Sequence, residues 1–489
     1  MEKRRLLLVA MVLLTFCTGS SWGQQPSAPQ GSGGIASSSG STQGGGQSTA
    51  SAPGPSAQEN RPEASAMPPL SGAEALRPGS EGAVRSYLLP SLQWTGFADT
   101  VGSGRGGVSK VETASTVVGS VTLQRVRRHS ELDLDYAGGG FFYRGTLQGV
   151  SNTSPNGTFH QLGFTQTFSS ARWKLLLGDQ GTYLPESPYG FGGFGGLGSF
   201  GLGARSDYIA SAAALNPTLA PDQSILTGRA RRASNTAVTQ LEYHAGARSS
   251  FTVSGSYGML RFLDPGFQDN DNWAVLTGYN YSLTPRDTLS VMYEHFYFRF
   301  HVPNRDILNR GFQLAYGHRI TGRLSLQLSA GPMLNDIAKP LGGSVTKSFI
   351  STYDSLQYHF PRGNVGISFM RYMTGGAGVL FGAESDLVSF TAGRQLGRRL
   401  YAALDLGHAY NRALTQTSVL QGRPEYETWQ GGVNLSREFG QHMSFYLNYN
   451  VQRQISTSSV CFGNSCRTLS LRQVGGVGIN LHGRPIRLG

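Results

Sequence analysis

The segment from residue 442 to residue 452 reads HMSFYLNYNVQ, and its apolar and polar side chains alternate. Met443, Phe445 and Leu447 share one parity, and Ser444 and Asn448 share the other. Successive side chains of a β-strand point to opposite faces of the sheet, so this segment predicts a strand with one apolar face and one polar face.

Segments of this kind recur from about residue 117 to the end of the chain, with short polar turns between them. Eight hairpins are predicted from strands 117–126 and 129–135, 158–168 and 172–178, 236–245 and 251–261, 273–283 and 288–300, 311–320 and 323–330, 348–360 and 364–372, 387–396 and 399–410, and 426–438 and 442–452. Segment 469–481 adds a seventeenth strand. Bacterial single-chain barrels have even strand numbers, so Leu92–Ala98 is predicted as the first strand.

A sheet that is apolar on one face and polar on the other, without intervening helices, is typical of a transmembrane β-barrel. The predicted fold is therefore all-β, a transmembrane antiparallel up-and-down barrel of about eighteen strands, with sixteen as the next estimate. Longer Gly-rich and polar connections between the hairpins predict external loops, and the short turns predict periplasmic ones. The barrel is expected to span residues 86–489 and to lie in the outer membrane, in contact with its lipid.

The N-terminal residues have the order of a secretory signal peptide. Lys3, Arg4 and Arg5 precede the apolar segment 6–16, and a small-x-small site ends at Gly23, so residues 1–23 are predicted to be removed on export. Residues 24–85 are dominated by Gly, Ser, Ala, Pro and Gln, which bury too little apolar surface to offset chain entropy. They predict a disordered leader, either a periplasmic tether or a spacer.

Composition argues against a soluble protein and against nucleic-acid binding. Charged residues make up 14% of the chain, whereas soluble domains have about 25%. The chain carries 41 Lys and Arg against 29 Asp and Glu, a net charge of +12, but these charges are scattered and form no basic patch. We expect no nucleic-acid partner.

An eighteen-strand barrel leaves an aqueous lumen unless something fills it, so charges of the inward parity are candidates for lining a pore. The acidic candidates are Glu131, Asp133 and Asp135, which alternate with apolar residues on one strand. The basic candidates are Arg172, Lys174, Arg319 and Arg323. Facing acidic and basic stripes would set a transverse field across the lumen. The alternative is that these charges only pair within the wall.

The longest connection, residues 181–235, falls between the predicted fifth and sixth strands and contains a Gly- and aromatic-rich stretch. With its strand pattern, signal peptide and loop position, the chain resembles the bacterial general and sugar-specific porins, in which the third external loop folds into the barrel. That resemblance implies a passive channel for small polar solutes, assembly by the barrel-assembly machinery, and homotrimers, which are common among these porins. The candidates for constriction are Glu186, Tyr189, Phe191 and Phe194.

Two departures from porins leave other functions open. The chain ends in Ile486-Arg487-Leu488-Gly489, without the terminal aromatic residue of porins, and it carries the long leader. An outer-membrane barrel for exopolysaccharide export is the first alternative. A surface adhesin or structural barrel, with the Gly- and aromatic-rich loop as its contact surface, is the second.

Other chemistry has little support in the sequence. Cys461 and Cys466 lie in a predicted external loop, where an oxidising envelope favours a local disulfide. The residues between them offer no metal ligands, so no metal site is expected. His295, His408 and His442 have acidic or Ser neighbours but no catalytic motif, so we expect no enzyme, and no cofactor motif is present.

Overall fold

The computed structural model describes residues 86–103, 110–144, 157–184, 231–264, 266–301, 304–338, 343–376, 380–414, 424–440, 442–457 and 469–488. These residues form eighteen long strands and one short strand. The strands are β1 Tyr87–Ser103, β2 Lys110–Arg127, β3 Ser130–Arg144, β4 Gly157–Ser169, β5 Trp173–Leu184, β6 Arg232–His244, β7 Ser249–Phe262, β8 Asn270–Ser282, β9 Asp287–His301, β10 Asn304–Arg319, β11 Leu324–Ala338, β12 Ser344–Phe360, β13 Gly363–Thr374, β14 Ala383–Gln395, β15 Leu400–Ala413, β16 Glu425–Phe439, β17 Met443–Ser456, β18 Leu469–His482 and β19 Ile486–Arg487. Within these ranges, no helix is long and apolar enough to span a membrane.

Each long strand pairs antiparallel with the next one, and the sheet closes on itself. Trp94 of β1 lies opposite Val117 of β2 on one side and opposite Ile479 of β18 on the other. The short β19 extends the closing pair, with Ile486 opposite Leu88. Closure gives every strand two hydrogen-bonded neighbours, which lipid demands because it offers the backbone no other partners. The prediction of an all-β antiparallel barrel of eighteen strands is confirmed.

Burial on the wall is the reverse of burial in a soluble protein. Every second residue of a strand faces outward, and we call these positions the outward parity and the others the inward parity. Large apolar side chains of the outward parity are exposed, for example Phe312 at 59% and Leu314 at 55%. Their inward neighbour Gln313 is 8% exposed, and Ser, Thr, Asn and Gln dominate the inward parity of most strands. An apolar exterior on a closed barrel is stable only in contact with lipid. The chain is thus an outer-membrane β-barrel with porin-like architecture.

The connections differ at the two ends of the barrel. At one end, here called the short-turn end, the predicted hairpin turns are found between β2 and β3 and then between every second pair of strands as far as β16 and β17. The last of these turns uses Gly440 with φ of 73°, a conformation that favours glycine. The opposite end, here called the loop end, carries the other connections between long strands, each of which lies at least partly outside the described residues.

Outward-facing aromatic rings pair near both ends of the strands. Near the short-turn end, Trp173 packs on Tyr243 with ring centroids 4.3 Å apart. Near the loop end, Trp273 packs on Tyr297 at 5.5 Å, and His408 lies 4.2 Å from Trp429. Aromatic residues at both interfaces are characteristic of membrane barrels, because their rings are apolar with a polar edge. They mark the borders of the lipid-facing band.

The first strand differs most from its prediction. The alternation of Leu92, Trp94 and Gly96 predicts a short strand, but β1 runs from Tyr87 to Ser103. Its outer residues Leu92 and Trp94 are 50% and 46% exposed. Because β1 pairs with β2 on one side and with β18 on the other, it continues beyond Leu92–Ala98, the residues whose alternation predicts a strand. Tertiary pairing, which the local sequence does not display, sets its length.

Candidate functional site

The acidic stripe of β3 lies on the inner wall. Asp133 is 3% exposed, and the parity that it shares with Glu131 and Asp135 is that of buried Ala137. Thr122 Oγ1 donates to Asp135 Oδ1 at 2.7 Å, and Gln124 Nε2 donates to Glu131 Oε1 at 2.8 Å. Side chains of β2 thus hold two of the three carboxylates in place by hydrogen bonds. All three carboxylates lie on the lumen side of the wall.

The four basic candidates do not share one environment. Lys174 has the inward parity of β5 and is half-buried, two strands from the acidic stripe and therefore about 10 Å along the same wall. Arg319 has the inward parity at the last residue of β10, seven strands from β3, and is exposed. Arg172 and Arg323 lie in turns at the short-turn end, one residue before β5 and β11. The structure does not bring the four into one stripe.

An ion pair joins the first and last long strands inside the barrel. Arg472 of β18 donates from Nε to Asp99 Oδ1 at 3.0 Å and from Nη2 to Asp99 Oδ2 at 2.5 Å. Asp99 is 0% exposed and Arg472 is 3% exposed. A two-point guanidinium–carboxylate contact fixes both charges in one geometry. The pair therefore helps set the register where the sheet closes.

A tyrosine crosses the place where β1 and β18 pair to close the barrel, here called the seam. Tyr446 of β17 lies over Gly478 of β18 and reaches β1, where Gln93 Nε2 donates to its Oη at 2.5 Å and its hydroxyl bonds Thr95 Oγ1. A Cβ at Gly478 would lie 2.2 Å from Tyr446 Oη and 2.8 Å from the carbonyl oxygen of Trp94. Only glycine leaves room for this contact, so three strands are connected through one side chain.

The inner wall becomes apolar towards the loop end of β8 to β15. Phe296, Phe298 and Phe300 have the inward parity of β9 and are 5%, 1% and 0% exposed. They cluster with Ile307 and Met333 of the next two strands, together with Ala274, Ile337, Met373 and Leu414. A further inward pair, Phe141 and Phe159, has ring centroids 5.1 Å apart on β3 and β4. The lumen is polar for much of its length and apolar at this end.

The apolar cluster holds an inward-folded connection between β13 and β14. Gly375 lies against Asn270 of β8, although β9 to β12 intervene along the wall. Phe381 packs edge-on against Phe300 at 5.7 Å, and the Arg305 guanidinium lies 5.1 Å from the Phe381 ring centroid. Gly382, with φ of 69°, approaches Ile307 so closely that a Cβ would lie 2.6 Å from Ile307 Cδ1.

The first residue after β15 reinforces this arrangement. The amide of Leu414 donates to the carbonyl oxygen of Gly382 at 3.1 Å, and Lys347 Nζ of β12 donates to the carbonyl oxygen of Leu414. Two connections of the loop end therefore meet inside the barrel at its mouth. We call residues 375–376 and 380–382 the inward segment.

His295 and His408, which have acidic neighbours in the sequence, lie on the opposite face of the wall from those neighbours. His295 faces outward, stacked on Trp273 at 5.0 Å, whereas Glu294 has the inward parity. His408 faces outward and contacts Glu427 at 2.9 Å, whereas Asp405 faces inward. Neither pair shares a surface. Within the ranges given above, no group of three His, Cys, Asp or Glu is arranged to hold a metal ion.

Several predicted site residues cannot be placed. Glu186, Tyr189, Phe191 and Phe194 lie outside the described residues, as do Cys461 and Cys466 and the predicted signal peptide and leader. The constriction by the loop 181–235 and the disulfide therefore stay predictions.

The sequence pattern predicts neither the inward segment nor the side-chain contacts that join β1, β17 and β18 at the seam. The signal for the apolar mouth was present in residues 289–300, where the apolar side chains change parity, since Leu289 and Val291 have one parity and Phe296, Phe298 and Phe300 have the other. A strand that is apolar on both faces is buried on both faces. The pairing of Asp99 with Arg472 had no such signal, because it joins positions 373 residues apart.

Comparison with known proteins adds a likeness in fold. No protein-family model matches the chain, and no curated protein matches it. Among solved structures, it is similar to OccAB3 of Acinetobacter baumannii, with 10% identity, 81% of this chain and 99% of that chain covered, and a TM-score of 0.41. It is also similar to OccK2 (OpdF) of Pseudomonas aeruginosa, with 11% identity, 81% and 98% covered, and a TM-score of 0.42. A BenF-like porin from Pseudomonas fluorescens Pf-5 gives 8% identity, 82% and 99% covered, and a TM-score of 0.42. At these values the likeness carries no argument about function.

Proposed function

We propose that the barrel is a passive outer-membrane channel for small polar solutes. The observation that carries this proposal is the closed ring of eighteen strands whose inward parity is mostly Ser, Thr, Asn and Gln. Barrel diameter grows with strand number, and barrels of sixteen to eighteen strands enclose an aqueous channel. A polar inner wall supplies hydrogen bonds to a hydrated solute as it passes.

Two features support restricted passage. The inward segment narrows the mouth at the loop end, and the inward polar side chains are mostly buried. We therefore expect a unitary conductance below that of an unobstructed barrel of this size. The connection between β5 and β6, which falls within the predicted loop 181–235, is proposed as a further constriction, with Glu186, Tyr189, Phe191 and Phe194 narrowing the path. The acidic stripe, Lys174 and Arg319, together with Arg172 and Arg323 at the rim, are proposed to set ion preference.

Reconstitution of the purified protein in planar bilayers tests the proposal. We expect discrete, ohmic current steps, and larger steps after deletion of residues 189–203. A folded barrel that gives no steps would contradict the channel and favour a structural or adhesive role. Loss of secreted polysaccharide in a deletion strain, with unchanged solute uptake, would favour export instead.

A further inference from the structure

Basic residues recur at one position of the short-turn end. From β3 to β17, the residue that directly precedes every second strand is an exposed arginine or histidine, namely His129, Arg172, Arg248, Arg286, Arg323, Arg362, Arg399 or His442. The backbone carbonyl oxygen of each one accepts a hydrogen bond from the next strand of the sheet, for example that of Arg362 from Gln395 at 2.7 Å and that of Arg399 from Glu438 at 3.0 Å. The backbone ladder thus continues into the turns and holds these positions in place.

The basic residues are densest between β13 and β16. Arg394 and Arg437 lie on the outward parity of β14 and β16, and Arg398 lies in the turn between β14 and β15. Arg394 is opposite Ala402 of β15, and Arg437 is opposite Leu400, so only β15 separates the two arginines and their Cα atoms are about 12 Å apart. We call five exposed arginines the rim patch: Arg362, Arg394, Arg398, Arg399 and Arg437.

No carboxylate neutralises the rim patch. Outward arginines near the loop end pair with acidic residues, since Arg371 lies 2.5 Å from Asp386 and Arg412 lies 3.4 Å from Glu425. The arginines of the rim patch form no ion pair with any residue that the structure describes, and the short-turn halves of β13 to β16 carry no Asp or Glu on their outward parity. The adjacent Glu438 has the inward parity. The positive charge of the patch is therefore available to a ligand outside the wall.

The lipid-facing band reaches into the same turns. Leu396 and Leu400, which flank the arginines of the β14–β15 turn, are 54% and 36% exposed on the outward parity. Phe439 is 43% exposed, and the Arg437 guanidinium lies 5.0 Å from its ring centroid. Arginine lays its stem along apolar surface and keeps its charge in the polar layer. The charges of the rim patch therefore lie at the level of the lipid headgroups.

This placement favours a lipid over a dissolved anion. Arg394 and Arg437 face outward, so a solute in the lumen lies on the other side of the wall from them. A guanidinium binds the anionic oxygens of a phosphodiester at two points. The acyl chains of such a lipid would lie along the exposed apolar side chains above the turns. A zwitterionic headgroup carries in addition an ammonium group, which the arginines repel.

We propose that the rim patch binds an anionic phospholipid of the periplasmic leaflet, of the phosphatidylglycerol or cardiolipin class. The bound lipid fixes the depth of the barrel at its short-turn end, where the lipid-facing band meets the turns. The inference goes beyond the proposed function, because it concerns the outer surface of the barrel and holds whether or not the lumen conducts.

Native mass spectrometry of the full-length protein, folded in neutral detergent, tests the proposal. Titration with phosphatidylglycerol or with phosphatidylcholine resolves each bound lipid and its Kd. We expect the first phosphatidylglycerol to bind at least about tenfold more tightly than phosphatidylcholine, because several arginines act on one headgroup. In R394Q/R437Q, the affinity for phosphatidylglycerol should fall about tenfold, and the affinity for phosphatidylcholine should stay as it is.

The chain provides a matched control at the same end of the barrel. R248Q/R286Q also removes two exposed arginines, but each lies in a turn that has no second arginine, and no outward arginine lies beside it in the short-turn halves of β6 to β9. The preference for phosphatidylglycerol should keep its wild-type value in this variant. An equal loss in both double variants would mean that only the overall charge of the rim matters, and would overturn the rim patch as a site.

Two further measurements separate the remaining outcomes. The changed side chains are exposed, so the folded band on unboiled gels should persist. If R394Q/R437Q fails to fold, R398Q takes its place, since Arg398 lies in a turn, and should lower the affinity for phosphatidylglycerol about threefold. Inorganic phosphate, titrated in the same way, should not bind. Wild-type protein that binds both lipids equally, or that binds inorganic phosphate as tightly as phosphatidylglycerol, would overturn the proposal, whereas the channel function is decided separately by the bilayer recordings.

Discussion

Arg472 of β18 holds Asp99 of β1 by a two-point contact, although 373 residues separate them along the chain. The two strands are the ones whose pairing closes the barrel, and both charges are fully shielded from solvent. Two charges removed from water are stable only when each satisfies the other. The pair therefore makes the correct closing register favourable and penalises a register in which the two residues do not meet.

Removing one partner should destabilise the barrel strongly. In R472M, Asp99 keeps its buried charge without a counter-ion, for which we expect a loss of about 3–5 kcal/mol. The measurement is the temperature at which the folded band disappears on gels run without boiling. As a control, R310Q breaks the outward-facing ion pair between Arg310 and Asp336. In this pair Nη2 lies 3.1 Å from Oδ2, and the arginine side chain is half exposed. The change should therefore cost about 0–1 kcal/mol. Equal effects of the two changes would contradict the role of the seam.

A methyl group at residue 478 should interfere with closure. In G478A, the new Cβ would lie 2.2 Å from the Tyr446 hydroxyl oxygen and 2.8 Å from the Trp94 carbonyl oxygen of β1, so the assembled fraction should fall. The folded fraction recovered from outer membranes measures this effect. In G119A, the nearest atom to a new Cβ is 4.0 Å away, so assembly should be normal. Removing the obstructing ring in G478A/Y446A should restore part of the loss, and a failure to do so would point to the Trp94 carbonyl as the main obstacle.

Truncating the aromatic anchor of the inward segment should widen the mouth. In F381A, the contacts with the Phe300 ring and the Arg305 guanidinium are lost, so we expect larger and noisier current steps and a loss of about 0.5–3 kcal/mol in stability. Single-channel recording checks the conductance. The matched change F312A removes a ring that is 59% exposed on the outward face and should leave conductance unchanged. Identical recordings from both variants would show that the inward segment does not limit passage.

Neutralising the acidic stripe should shift ion preference. In E131Q/D133N/D135N, three carboxylates are lost from the inner wall of β3, so the reversal potential across a salt gradient should move towards anion selectivity. The triple change keeps the shape of each side chain and retains acceptors for Thr122 and Gln124. The control D336N removes an outward carboxylate and should leave the reversal potential as it was. A reversal potential that stays at the wild-type value in the triple variant would place the stripe outside the ion path.

Much of the fold was predictable because membrane barrels impose a local rule. In segment 443–452, each side chain is apolar or polar according to the face it occupies, so the strand and its two faces can be read from ten residues. The same rule located the turns, and the even strand number of bacterial single-chain barrels led to the prediction of the first strand. It failed for residues 296–300, because an inward side chain that meets the inward segment is buried in protein and need not be polar.

The candidate site was predictable only in part. The inward parity of Glu131, Asp133 and Asp135 followed from alternation along β3, but their distance from Lys174 and Arg319 depended on which strands lie between them. Arg172 and Arg323 were predicted as the first residues of strands, but β5 and β11 begin one residue later, at Trp173 and Leu324. Strand ends depend on the partner strand as much as on the local sequence.

The sequence by itself determined that the chain forms a barrel in lipid. The alternation of polar and apolar side chains is a local property, and an extended backbone places successive side chains on opposite faces of the sheet. Tertiary structure decided what fills and closes that barrel. The contact of Asp99 with Arg472, the passage of Tyr446 over Gly478, and the approach of Gly382 to Ile307 join strands that are distant in sequence. Such contacts depend on the register and curvature of the whole closed sheet, and no single segment encodes either quantity.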